Sequence, residues 1–391
     1  MPTSPDSLSL DGELRLPVED MNSACKPIMS EALVAQRLLT IGQGGIGLVN
    51  EHQADIPVER WGTGLAAVVA ALLPHRAIVE EARAKRHRRL WQEQLLKHQS
   101  SWPDFGSVAS TAFLLCADHR PSEYGLPAQL YIGHRPDALA SWSDFDVLLD
   151  QLLGAVSPTK APAYVSARQS LREALITILA ETFKNTQDHG RHEANGAEVP
   201  ISIRGIYARF YPIAEIAQGL GVREDFAASP ADRYARSFLS QPVRGRIFRA
   251  NEPGIGGLLE VSIFDSGAGM AAKWLGRGME GVGAREQYDA VLDCFRKGKT
   301  STGSPGRGFG LAKVLTNISA ARGFMGVRTN GIHVYRQFGT QRGVGWQERE
   351  DGSPIPEERL FDWQKVLSPN PSECIPARGT VVSFLLPMGD T

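Results

Sequence analysis

The stretch from about Ser166 to His189 constrains this chain more than any other, because it is long enough for some six helical turns and its apolar residues return with helical period from Leu171 to Phe183. At about 100° per residue, Leu171, Leu175, Ile178, Leu179 and Phe183 share one arc. A helix of that kind must cover its apolar arc, and this one is suited to packing on a sheet. Beside it, Glu181, Asn185 and Asp188 fall within an arc of roughly 60°, stacked over two turns. A carboxylate and an amide oxygen on one stripe form the oxygen-donor set that Mg²⁺ takes. A carboxylate next to a metal-bound phosphate can also orient a water. Taken alone, the same string reads equally well as the polar border of an ordinary helix.

The remainder of the second half alternates strands and helices. Strand-like Ile201–Arg209 is followed by an irregular insertion rich in Pro, Asp and Arg, within a long segment, 191–258, that suggests no function. A buried-looking strand, Leu258–Phe264, runs into Asp265-Ser266-Gly267-Ala268-Gly269-Met270. An aspartate at a strand end can accept a hydrogen bond from an exocyclic amine, and glycines two and four residues on let backbone approach a flat ring closely. A helix over Gln287–Arg296 leads to the Gly/Ser/Thr-rich loop Lys297–Gly310 and a helix over Leu311–Ala321. Gly306, Gly308 and Gly310 open that helix, where exposed N–H groups and the helix dipole favour phosphate, and Lys297, Lys299 and Arg307 add positive charge. The terminal portion predicts strands at Gly326–Thr329, His333–Gln337 and Thr380–Leu386.

Each motif is weak by itself, but their order is specific. E-x-x-x-N on a helix, D-x-G-x-G after a strand, a loop ending in G-x-G-x-G-L, then Arg378-Gly379-Thr380 before the closing strand resembles the GHKL ATPase superfamily of gyrase, heat-shock-90 chaperones, histidine kinases and MutL. The resemblance covers about residues 165–391. It implies an α/β (α+β) fold of Bergerat type, a two-layer sandwich of helices on a mixed, mainly antiparallel sheet, with ATP and Mg²⁺ as ligands. It also implies roles. Glu181 would polarise the attacking water and Asn185 would ligate Mg²⁺. Asp265 would accept the adenine amino group, supported through water by Thr380. Gly267 and Gly269 would pack on the base, and Gly306, Gly308 and Gly310 would wrap the phosphates. In gyrase, MutL and the chaperone a later domain supplies a phosphate-contacting lysine; here Lys297, Lys299 or a partner is expected to stand in. His75-Arg-Ala-Ile-Val-Glu80 lacks the pattern of a phosphoacceptor histidine. His189-Gly190 is shared with anti-sigma serine kinases, whereas Asp188 fits the ATPase string better. ATP hydrolysis coupled to conformational change leads; a serine or histidine protein kinase and a non-hydrolysing nucleotide-binding regulator are the alternatives. No P-loop is present.

Residues 1–160 carry no motif attached to chemistry and are expected to form an N-terminal α+β domain that recognises a protein partner. Helices are expected over Ser30–Leu48, Thr63–His98 and Ser143–Leu153, β-like runs at Ala112–Ala117 and Gln129–Gly133, and a linker at Ser157–Ala163 before a second domain, 161–391. Lys plus Arg (42) nearly cancels Asp plus Glu (43), so overall charge selects no nucleic-acid or membrane partner. The run Arg83, Lys85, Arg86, Arg88, Arg89 reads first as a solvated helix face and second as a nucleic-acid or acidic-partner surface. Cys25, Cys116, Cys294 and Cys374 are scattered, as expected of reduced thiols. Asp6, Asp11 and Glu13 argue against a secretory signal, and the most apolar run, Gly64–Leu73, is too short to span a bilayer; a cytoplasmic protein is expected, with a homodimer left open. Replacing Arg86, Arg88 and Arg89 together by alanine is expected to leave ATP affinity unchanged in calorimetry, and a loss would tie the basic run to the nucleotide site.

Overall fold

The computed structural model describes residues 28–43, 64–73, 110–157, 168–221, 229–240, 256–296, 310–338 and 367–388, with short pieces at 14–15, 48–49, 99, 165–166, 346–348, 354–356 and 359–365. In chain order the elements are α1 (Glu31–Gln43), α2 (Leu65–Leu72), β1 (Thr111–Ala117), α3 (Trp142–Val156), α4 (Gln169–His189), β2 (Ile203–Pro212), α5 (Ile213–Gly221), α6 (Pro230–Ser240) and β3 (Gly257–Phe264). Then follow α7 (Met270–Leu275), α8 (Ala284–Phe295), α9 (Gly310–Ala320), β4 (Phe324–Asn330), β5 (Ile332–Gln337), β6 (Phe361–Asp362) and β7 (Ala377–Met388).

Every residue of β3 is buried. A strand with no wet face has to be central and covered on both sides. That is its position: the seven strands run in the order β6-β5-β4-β7-β3-β2-β1, every neighbouring pair antiparallel. The expected mixed sheet is therefore antiparallel throughout its seven strands. The parallel pair among the described residues, Leu14–Arg15 with Leu48–Val49, lies outside it. Alternation along each strand splits the side chains between two faces. One face carries Leu114, Ile206, Val261, Ile263, Phe384 and Val327 and packs on α3, α4, α8 and α9 through Leu149, Leu179, Phe183, Val291 and Val314. This is the helix-on-sheet packing that the apolar arc of α4 predicts.

The opposite face is covered as well, a departure from a two-layer sandwich. Phe113, Leu115, Tyr207, Phe264 and Val381 pack on α1 and α2, while Tyr211, Leu258, Phe324, Tyr335 and Leu385 pack on α6 and on Met29. The segment before residue 160 supplies an edge strand of the same sheet, β1 on β2, and helices to both of its faces. A boundary near residue 160 thus cuts through one shared core. Gln129–Gly133 is not a strand but a turn followed by a distorted 3-10 turn, in which Gly133 and His134 both take positive φ, 63° and 55°. The described residues of the stretch after β2, expected to be irregular, form α5 and α6. Of the long helix expected over Thr63–His98, the described part is α2, and the basic run 83–89 lies outside the described residues.

The helix α3 starts with a capping box, Ser141 and Asp144 exchanging side-chain and backbone hydrogen bonds. It is clamped to α4 by Arg172, whose guanidinium reaches Asp146 at 2.7 Å and Asp150 at 2.6 Å. Phe183 lies between Tyr131 and Phe145, ring centroids 6.4 Å apart in each case. Phe183→Ala is expected to cost about 3–5 kcal/mol, and Val147→Ala, at a side chain 58% exposed, close to nothing. Because Phe145 and Phe183 stand on either side of residue 160, their variants should shift one shared urea transition. Two separable transitions would restore the boundary.

Candidate functional site

The chain leaves β3 at Asp265, whose N–H donates to the carbonyl of Thr380 at 3.0 Å, one step beyond the β3–β7 ladder. Its side chain is 8% exposed, and Oδ1 accepts the Gly267 N–H at 2.9 Å. Burial pushes this carboxyl up from 3.8 to about 6; the Gly267 amide, the charge of Arg204 and the Thr380 backbone oppose the rise. At neutral pH the group is still a carboxylate, an acceptor with no proton to donate.

Backbone encloses that carboxylate. Gly190 ends α4, and a Cβ there would come within 2.5 Å of Asp265 Cβ. A Cβ on Gly267 would lie 2.9 Å from the Gly190 backbone. The absent side chain at 267 therefore makes room for the end of α4. Gly379 has φ +68°, and any side chain there would run into the Asp265 carbonyl. Its N–H donates to the Gly267 carbonyl at 2.8 Å, and Ala268 donates to the His192 carbonyl at 3.1 Å. Gly269 has φ +89°, with the Asn330 side chain where its Cβ would stand, and Asn330 Nδ2 donates to Ala268 O at 2.8 Å. The first N–H of α7, on Met270, is shared between Thr329 Oγ1 at 2.9 Å and Thr380 Oγ1 at 3.0 Å. These two hydroxyls lie 3.1 Å apart. Thr380 thus holds the Asp-Ser-Gly-Ala-Gly turn directly.

At the other end, Gly310 begins α9, and a Cβ on it would lie 2.5 Å from Glu181 Oε2. Glu181 and Asn185 are both half-buried, one turn apart on α4, and neither side chain is engaged by a hydrogen bond or ion pair within the described residues. Asp188, the third member of the stripe, is ion-paired with Lys184 one turn back. Between Glu181 and Gly190 the helix rises about 13 Å. Asp265, Gly267, Gly269 and Thr380 therefore gather at the C-terminal end of α4, and Glu181, Asn185 and Gly310 gather further up it. Lys297, Lys299, Gly306 and Gly308, with Arg307, lie outside the described residues. No group of three His, Cys, Asp or Glu able to hold a metal occurs among the described residues, so an ion at Asn185 would need ligands from elsewhere, such as phosphate and water.

Residues that the sequence did not single out complete the arrangement. Arg204, with no exposed side-chain surface, reaches Asp118 at 2.7 Å and Tyr131 Oη at 2.7 Å, and its Nη1 lies 3.3 Å from Thr186 Oγ1 on α4. This cation both fastens the end of α4 and favours the ionised form of Asp265. An arginine inside an otherwise uncharged strand run, Ile203–Ala208, was its signal. Asn330, at φ +48°, was readable from Asn330-Gly331 as a hairpin turn, though not as a brace for Gly269. Comparison of the chain with family models, curated proteins and solved structures returns no match.

The Asp265 shift has a definite sign. A carboxyl whose folded value is raised favours folding below its ordinary value of 3.8, and that contribution is lost as pH rises through about 6. At neutral pH the deficit is roughly 3 kcal/mol. Asp265→Asn retains an oxygen for the Gly267 N–H and has no charge to bury. The variant is expected to melt higher than the wild type at pH 7.5 and to lose part of the stability change between pH 4 and 6. Equal melting curves at pH 7.5 would show that burial of the charge is not costly.

Proposed function

We propose that this chain binds Mg·ATP along α4, in a Bergerat-type arrangement, and hydrolyses it. The observation that supports this reading best is that one helix carries the three expected contact regions in linear order. Its C-terminal end touches the Asp265 turn, Asn185 follows, and Glu181 meets the first residue of α9. This order matches base, metal and terminal phosphate of an extended nucleotide.

Each group has a chemistry suited to its place. Asp265 accepts from the exocyclic amine of adenine. Guanine would turn a carbonyl oxygen toward the same carboxylate, so ATP is preferred over GTP. The Thr329 and Thr380 hydroxyls keep the turn in register, and the φ of Gly269 starts α7 beneath it. Asn185 offers an amide oxygen and Glu181 a carboxylate, both half-buried and uncommitted among the described residues, a set that fits a hard divalent ion shared with phosphates. When bound, Mg²⁺ neutralises charge on the phosphates. Glu181 holds the attacking water and takes up its proton. The N-terminus of α9 offers N–H groups to the phosphates, and Gly306, Gly308, Lys297 and Lys299 on the preceding loop would close over them. Hydrolysis of this kind serves as a switch, and the segment before residue 160 is the natural site for a protein partner.

Phosphate release and nucleotide affinity, measured side by side on three proteins, test this. Glu181→Ala should bind Mg·ATP nearly as tightly as the wild type and hydrolyse it roughly 10²–10⁴-fold more slowly. Asn185→Ala should lose Mg²⁺-dependent affinity as well as rate. Full turnover in Glu181→Ala would remove the proposed base, and transfer of the γ-phosphate to a protein would turn the assignment to a kinase.

A further inference from the structure

The strand β7 is irregular where it matters most. Its pairing with β4 slips between Ala377 and Thr380, a bulge that takes Arg378 and Gly379 out of the β4 ladder. Backbone polar groups displaced from a ladder inside a core need other partners. Helix α1, more than 300 residues away in sequence, supplies them. Thr40 Oγ1 accepts the Arg378 N–H at 2.9 Å and itself donates to Gln36 O at 2.8 Å. Gln36 Nε2, 1% exposed as a residue, donates to the carbonyls of Arg328 at 3.1 Å and Gly379 at 3.3 Å. Arg37 reaches the Pro376 carbonyl at 3.5 Å. The anchored backbone then continues into the turn, Gly379 donating to Gly267 O and Thr380 O accepting from Asp265.

We propose that α1 is a working part of the base-binding end, with Gln36 and Thr40 as positioning residues for the Asp265 turn, and that docking of α1 and occupancy by nucleotide favour each other. The inference rests on the nucleotide reading above and adds its regulation. Neither residue is placed to touch a nucleotide. They act by fixing the bulge whose Gly379 and Thr380 hold residues 265–270. Linkage is reciprocal: nucleotide tightens α1, and whatever draws α1 from the sheet lowers nucleotide affinity.

The experiment uses the full chain. In the double variant Gln36→Met and Thr40→Ala, which keeps most of the volume and removes the polar contacts, half-saturating ATP should rise at least about fivefold. Turnover at saturating ATP should stay within about twofold, because Glu181 is untouched; a merely destabilised protein would instead lose turnover with its folded fraction. Thr40→Ser, which retains the hydroxyl, should behave as wild type. In the wild type, a non-hydrolysable ATP analogue should slow hydrogen exchange over residues 31–43, a readout that stands even where the double variant does not fold. If wild type binds ATP but the analogue leaves exchange over 31–43 unchanged, or the folded double variant binds as tightly as wild type, the linkage is overturned while the nucleotide reading survives. If wild type binds no adenine nucleotide, both fall.

Discussion

The placement of β7 between β3 and β4 is the constraint on which everything else rests. The last described segment of the chain is also the middle of its sheet, paired with 257–264 on one side and 324–330 on the other. Without it, β1-β2-β3 and β4-β5-β6 would be two small sheets, each with an exposed apolar edge. Seating it creates both cores together, since Phe384 faces α4 and its neighbours while Val381 faces α1 and α2. It also brings Arg378-Gly379-Thr380 to the mouth of the Asp265 turn, where two backbone hydrogen bonds depend on it, Asp265 to Thr380 and Gly379 to Gly267, while the Arg378 N–H donates to the Thr40 hydroxyl on α1. Fold and site are closed by the same strand.

Closing a site in this way leaves charge in the interior. A lone buried carboxylate at Asp265 would be costlier still if the interior around it were apolar. Arg204 answers part of that cost through space. Arg204 is itself matched by Asp118, whose carboxyl is drawn below its ordinary value by the same guanidinium even though burial acts to raise it. On the opposite face Glu260 accepts from Tyr211 Oη at 2.6 Å and Ser262 Oγ at 2.7 Å, and from Met29 N at 3.3 Å, which fixes the entry to α1. The two polar systems differ in completeness. Glu260 has three donors within the protein, whereas Asp265 accepts chiefly from its own turn. Asp265 is a carboxylate whose burial is offset in part by Arg204 and its own turn, and an added donor would favour its ionised form further.

Much of this was legible in the sequence because it is local. The apolar arc of α4, the strands 257–264 and 377–388, and the glycine after Arg378 each announce themselves within a dozen residues. The resemblance built on four short motifs picked out Asp265, Gly267, Gly269 and Thr380, and those four do stand together. What was not legible is set by long-range pairing. Nothing in Thr111–Ala117 says that it pairs with 203–209, so a single core was read as two domains. Nothing in Gln36 or Thr40 says that they serve a bulge at the far end of the chain. Helices α5 and α6 were missed for a different reason: their short amphipathic patterns sit among prolines, aspartates and arginines that read as breakers when the covering sheet is unknown.

The spacing of the site is set by a helix and not by loops. Of the two contacts of α4 with the rest of the site, the one at Gly190 against Asp265 and Gly267 runs through positions where a side chain would not fit, while Gly310 lies against the tip of the Glu181 side chain. Backbone in close contact leaves little slack at the Gly190 end, and the helical segment from Glu181 to that end is rigid on the scale of a side chain. The rotation of α4 is fixed independently, by Phe183 and Leu179 in the core and by the ion pairs of its Arg172 with Asp146 and Asp150 of α3. The separation of Glu181 from the Gly190 end is therefore a property of α4, while the turn at 265–270 is held by β7, by Thr329 and Asn330 of β4 and by the His192 carbonyl. The Glu181 end belongs to α4 alone, whereas the Asp265 turn is joined through β7 and its bulge to α1 at the other face of the sheet.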